Sequence, residues 1–267
     1  INVLKSDKPS SINQEIKAYY TLNEDNIFSF EAQHLSQTED PFYRAIRDVQ
    51  PFRDIIPLNS NQSKFNINQN RMVETDKLEA KLDYYYILTP KSNLNFTFGV
   101  TDVKQNFNSN IFQILDNKSE VSFDENILNN NVDFNFSDAY LSFNYRFITG
   151  IFTMEPGFTI NSYKTENIQL GRAVSNSYSD IRPDMRVFMK FKDSESLRFT
   201  YNATNQFTDV NNLAEGYVFN NYNSFFQGNP NLEAGKFYNY NLNYQSINIF
   251  NFTNVFARLG YSKRSNT

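Results

Sequence analysis

IRPDMRVFMKFKDSESLRFTY, residues 181–201, is the stretch whose reading decides the fold. Ile181, Pro183, Met185, Val187, Met189 and Phe191 share one parity; Arg182, Asp184, Arg186, Lys190 and Lys192 share the other, with Phe188 alone out of place. Period-2 alternation marks a strand with one apolar and one polar face. A polar turn at 192–196 follows. Alternation then resumes, with Leu197, Phe199, Tyr201 and Ala203 against Arg198, Thr200, Asn202 and Thr204. The stretch is a β-hairpin with a short turn.

The same unit recurs along the chain. Residues 11–37 form a first hairpin about Asn23-Glu24-Asp25-Asn26, and residues 74–103 a second about Thr89-Pro90-Lys91-Ser92-Asn93. Residues 138–163 form a third with its turn near 148–152, and residues 237–263 a last one, where Tyr238, Tyr240, Leu242 and Tyr244 alternate with asparagines. Between hairpins lie the longer connections 38–73, 104–137, 164–180 and 206–236. The first is apolar for a loop (Ile46, Val49, Phe52, Ile55, Ile56) and is expected to pack on itself or on the strands. Its prolines at 41, 51 and 57 limit any helix to a turn or two. The second is expected to hold a small hairpin standing above the sheet.

Composition narrows the class. The 267 residues carry a net charge of −4, which argues against a nucleic-acid binder. They include no cysteine, which excludes a disulfide scaffold and cysteine metal sites. No apolar run is long enough for a helical membrane span. The 27 Phe and 17 Tyr suit strands and interfacial girdles. Strands of about ten residues, short turns alternating with long loops, and tyrosines near strand ends (Tyr20, Tyr145, Tyr201, Tyr244, Tyr261) predict an all-β, antiparallel, up-and-down transmembrane β-barrel, with about ten strands present. On this reading Glu79, Lys81, Asp83, Arg146, Arg182, Asp184, Arg186, Lys190 and Arg198 face the lumen. There they pair with one another, line water or meet an internal domain.

Catalytic, cofactor and metal motifs are not found. The lone histidine, His34, shares a parity with Phe28, Phe30 and Ala32 and reads as a packed or interfacial residue. Asp124-Glu125 lacks the spacing of a calcium loop. No phosphate loop, nucleophile elbow or zinc-protease motif occurs.

Gln227-Gly228-Asn229-Pro230-Asn231-Leu232-Glu233, followed by the Tyr/Asn strand, resembles the loop-to-strand junction of TonB-dependent receptor barrels of Bacteroidetes type, within the outer-membrane β-barrel family. There a Gly-Asn-Pro-x-Leu run is usually followed by Pro-Glu; here Ala234-Gly235 follow Glu233. Residues 36–44 and the run Tyr84-Tyr85-Tyr86 also resemble such barrels. Gly228, Asn229, Pro230, Asn231 and Leu232 are expected to anchor the loop, since Gly228 permits a turn and Pro230 holds Asn229 extended.

The resemblance implies a barrel of about 22 strands with a plug, importing a scarce nutrient. Residues 1–267 would then be one barrel segment, cut at both ends and without the plug. It further implies the outer membrane of a Gram-negative cell, lipid contact, and the TonB complex reached through a missing N-terminal part; whether a surface lipoprotein caps the barrel is left open. The ligand would be a small molecule, glycan or peptide. The alternatives are a self-contained ten-stranded barrel, as a pore or hydrolase, and a soluble secreted β-sheet adhesin.

Overall fold

The computed structural model describes residues 2–123, 127–232, 234–248 and 250–266. Asp124, Glu125 and Glu233, named above, lie outside the described residues. The fold is an antiparallel meander. Its strands are β1 (Asn2–Ser6), β2 (Ser10–Asn23), β3 (Asn26–Glu39), β4 (Phe42–Arg47), β5 (Phe65–Thr89), β6 (Ser92–Ile114), β7 (Glu120–Ser122), β8 (Asn129–Thr149), β9 (Phe152–Gln169), β10 (Arg172–Lys192), β11 (Glu195–Gln206), β12 (Val218–Asn221), β13 (Ser224–Phe226), β14 (Gly235–Asn248) and β15 (Thr253–Asn266). No α-helix occurs among the described residues.

Two apparent extra strands are continuations. β3 and β4 lie in turn along the same edge of β5, with Glu39 opposite Val73 and Phe42 opposite Asn70, so the register does not slip between them. β1 and β2 continue each other in the same way, with Ser6 opposite Phe42 and Ser10 opposite Thr38. Pro9 and Pro41 interrupt the ladder there, because proline has no N–H to donate. The sheet is therefore ten long strands, each paired to its sequence neighbour. It is open, with the outer edges of β1–β2 and β15 unpaired among the described residues.

One end of the sheet carries tight turns at 24–25, 90–91, 150–151, 193–194 and 250–252. The other carries the longer connections, with one departure from expectation. Residues 164–180 are not a loop. β9 and β10 pair without a break from Phe152–Met189 to Gln169–Arg172 and turn through Leu170-Gly171, at φ 51° and 71°. Positive φ at both central residues is the type I′ hairpin geometry, which follows the twist of the strands. The strict alternation of long and short loops fails here.

Two features place a membrane. On the apolar face of β5, Leu78, Ala80, Leu82, Tyr84, Tyr86 and Leu88 run without a charge, and Asp76 ends the run. On β10 the same face carries Ile181 to Phe191, and above it Ser179, Ser177 and Ser175. A run of that length on a tilted strand spans about 25 Å, the height of the lipid-facing band of an outer-membrane barrel. The row Phe30, Leu82, Phe98, Leu141, Ile160, Ile181 crosses six strands side by side, and each side chain stays 41–60% exposed. A second row, Phe28, Tyr84, Phe96, Phe143, Phe158, packs ring on ring at 4.8–6.2 Å. The girdle is thus as rich in Phe as in Tyr. His34 lies on this face, 3.1 Å from Asp76 at the upper limit of the band, and is an interfacial residue as expected.

Candidate functional site

The site is the opposite face. The pairing registers put all nine charged residues singled out above on it. They form a ladder of pairs. Lys81 lies 3.3 Å from Glu31 and 3.5 Å from Asp83, and Thr97 donates to Asp83 across the strand pair. Glu79 is 2.8 Å from Lys77. Glu155 lies between Arg146 at 3.1 Å and Arg186 at 3.5 Å. Arg182 donates to Asn161 at 2.9 Å, and Asn161 donates to Asp138 at 2.8 Å. Asp184 stands beside Gly157, where an added Cβ would lie 2.9 Å from its carboxylate. Lys190 pairs with Asp193 in the turn at 2.6 Å. Phe188, out of place in the sequence pattern, also lies on this face, with the Arg198 guanidinium 5.6 Å above its ring.

The nine do not converge on one point. Glu79, Lys81 and Asp83 form one group on β5; Arg146 and Arg186 form another around Glu155; Asp184 and Arg182 follow along β10, Arg182 at Asn161; Lys190 and Arg198 sit near the turns. Glu155 and Asn161 were missed as partners. Both were legible, since Met154, Pro156, Phe158 and Ile160 leave them on the polar parity.

Towards the loop end this face becomes apolar, and the chain covers it with itself. Val73, Phe107, Val132 and Phe134 pack beneath Val210, Leu213, Ala214 and Val218, of which Val210–Leu213 is a 3₁₀ turn. Beside them Tyr43, Ala45, Ile67 and Ile111 pack beneath Ile56, Leu58, Phe219 and Tyr222. Both long connections therefore fold down onto the wall, which the apolar residues of the first, 38–73, led one to expect. β12 and β13 form a small hairpin in the cover. In 104–137 the expected hairpin is instead the joint extension of β6 and β8, with β7 added to β6.

Side-chain amides of the wall fasten the cover's backbone. Gln69 accepts from the Phe219 N–H at 2.7 Å, Asn130 from Gly216 at 2.8 Å and Gln169 from Glu215 at 3.1 Å. Gln169 also donates to the Leu213 carbonyl at 2.8 Å. A buried backbone needs such partners where no ladder supplies them. Both ends of the covering segment are held by one carboxylate: Asp180 accepts from Lys236 at 2.5 Å and from Asn205 at 3.0 Å.

Gly228, Asn229, Pro230, Asn231 and Leu232 close the cover against the start of β14. Gly228 donates to the Ala214 carbonyl and Asn229 to the Asn212 carbonyl, each at 2.8 Å. A Cβ on Gly228 would lie 2.4 Å from the Asn212 carbonyl oxygen, so only glycine fits. The Asn229 side chain accepts from the Asn231 N–H at 3.0 Å, and its carbonyl from Leu232 at 3.2 Å.

No group of three or more His, Cys, Asp or Glu residues among the described residues could hold a metal ion. Among the described residues no helix is long and apolar enough to cross a membrane, which says nothing of crossing by strands.

The model of the outer membrane protein beta-barrel family matches residues 16–267. Among solved structures, the chain is similar to the ferric yersiniabactin uptake receptor FyuA from Yersinia pestis, with a TM-score of 0.59 and 12% identity over 97% of this chain and 36% of that one. It is similar to the siderophore receptor PiuA from Acinetobacter baumannii, with a TM-score of 0.54 and 11% identity over 97% and 47%. It is also similar to the ferric citrate transporter FecA in its unliganded form, with a TM-score of 0.53 and 11% identity over 99% and 43%. The chain spans less than half the length of each, and at these identities the likeness is one of fold. No curated protein sequence matches the chain. The matched family model, the meander and the lipid-height band agree: the chain belongs to the outer membrane protein β-barrel family, and its place is the outer membrane.

Proposed function

We propose that this chain is part of the wall of a TonB-dependent outer-membrane receptor and takes part in the uptake of a scarce nutrient. The observation that carries this reading is the loop-end cover. A pore would keep its polar face open to water, whereas here two long connections fold onto that face and bury Ile56, Val210, Leu213 and Phe219 against it. The charged ladder below them then lines the lumen, and the cover forms the wall of a binding chamber. No catalytic role is assigned. In the ladder, Glu31, Glu79, Asp83 and Glu155 are held by Lys or Arg and Asp138 by Asn161, and His34 lies on the lipid-facing side.

The test is the native protein in washed outer membranes. Its intact mass should greatly exceed the 31.3 kDa of this chain, and its N-terminal sequence should include a plug domain and a TonB-contacting segment. Uptake of its nutrient should stop in a strain lacking TonB. A native mass near that of the chain, or uptake indifferent to TonB, would overturn the reading.

A further inference from the structure

A cavity of about 350 Å³ lies on the polar face at the loop end, between β1, β4, β5 and the tip of β12. Its polar lining is dominated by donors. Lys5, Tyr43 and Gln69 stand in one cross-strand row, since Lys5 pairs opposite Tyr43 and Tyr43 opposite Gln69. Neighbouring strands are about 4.8 Å apart, so the three side chains rise side by side. Arg71 follows Gln69 on the same face of β5, about 6.8 Å further along.

The orientation of these groups is fixed. The Gln69 oxygen is taken by the Phe219 N–H at 2.7 Å, so its NH₂ is the end left over. Gln69 is 1% exposed, and that nitrogen has no partner. Tyr43 is 6% exposed; the Tyr222 backbone N–H faces its hydroxyl oxygen, and the hydroxyl proton is left without an acceptor. Arg71 rests on the Phe107 ring at 5.9 Å, with its Nε buried and unpartnered. The residue opposite Arg71 is Pro41, which accepts the Arg71 backbone N–H at 3.1 Å and offers its side chain nothing. Lys5 reaches only the Asn220 carbonyl at 3.5 Å and the Tyr43 ring at 5.8 Å. Asp7 lines the cavity too, and Glu39 lies in the field of Arg71. Among the described residues, neither comes within ion-pairing distance of Arg71 or Lys5. Elsewhere on this face Lys81, Arg146 and Arg182 are met by carboxylates or an amide oxygen at 2.9–3.3 Å, while Arg47 and Arg198 rest on the Tyr222 and Phe188 rings.

We propose that this cavity binds an oxyanion, a carboxylate or phosphate group carried by a small ligand. Arg71 and Lys5 supply the charge, and the Gln69 amide and Tyr43 hydroxyl supply two buried neutral donors. Desolvated donors of this kind cost free energy while unpaired and recover it when an acceptor arrives. The inference concerns binding alone and does not require the transport reading.

The experiment is calorimetric titration of the purified outer-membrane protein, in a zwitterionic detergent, with inorganic phosphate and with succinate. Saturable binding of at least one is expected, weakened about tenfold or more in Arg71→Met and again in Lys5→Met. Lys5 is an exposed side chain that belongs to neither buried cluster, so the second variant keeps its fold even if the first does not. Added lipopolysaccharide distinguishes the sources. Displacement of the probe by it assigns the oxyanion to a lipid headgroup, and no displacement assigns it to a soluble ligand. Failure of both anions to bind, or wild-type affinity in Lys5→Met, would overturn the assignment.

Discussion

Leu82→Arg separates a membrane strand from a soluble one. Leu82 lies in the apolar row of β5 and is 43% exposed. In water, an arginine at so open a surface site would change stability by no more than about 0.5 kcal/mol. In a bilayer the outcome depends on depth. Leu82 stands six residues below Asp76, where the charge-free run ends. At about 3.4 Å per residue and a tilt of about 40°, that is roughly 15 Å, near the middle of a band about 25 Å tall. An arginine there should cost about 2–4 kcal/mol. Glu74→Arg, on the same face but above the band, should cost about 0–1 kcal/mol, and Lys81→Arg, on the polar face, should be nearly silent. The assay is reversible guanidinium unfolding of the native outer-membrane protein in lipid vesicles, with the three variants compared at equal lipid composition. Equal small costs at 82 and 74, or a cost at 81 matching that at 82, would refute both the band and the facing of the sheet.

Three further outcomes follow from the cover. Asp180→Asn should leave Lys236 half-buried without its counter-charge and loosen the segment 207–232 by about 2 kcal/mol, read as faster amide exchange there with β5 and β6 unchanged. Gly228→Ala must push the Asn212 carbonyl aside; a cost of about 1–3 kcal/mol, local to the same segment, is expected from protease sensitivity. Burial pushes the Tyr222 phenol up to about 12, while its hydroxyl donates to the Val49 carbonyl. The neutral form is the one held, so its stabilisation is complete below about pH 10 and is lost as pH rises towards 12. Amide exchange of 207–232 should accelerate over that window, and Tyr222→Phe should remove this part of the pH dependence.

The membrane half of the molecule was legible because lipid writes it into the sequence. Wherever one face meets hydrocarbon, as at Ile181–Phe191 or Tyr238–Tyr244, side chains alternate and the facing of Arg182 or Lys81 follows. Above the band both faces meet water or the chain's own cover, and the period disappears. Ser175, Asn176, Ser177, Tyr178 and Ser179 are strand by their pairing with β9, yet no parity in them is apolar. Leu170-Gly171 is a hairpin turn without the usual asparagine, so nothing local announced it. The turn through Gly228 to Leu232 was readable from its residue types. The donor cavity was not, because it arises from register: Lys5, Tyr43 and Gln69 are distant in sequence and meet only through two strand pairings.

The unbroken register through Pro9 and Pro41 bears on assembly. Each long strand has as its partner the strand just before or after it, so every pairing can be made with chain that is already at hand. A hairpin can add to the growing edge, be tested against the lipid by its apolar row, and in turn become the edge for the next. The covering segments can come last, since Val210, Leu213 and Phe219 have nothing to pack on until β5, β6 and β8 stand side by side. A misread pairing would therefore be exposed one hairpin at a time, before the loop end is sealed.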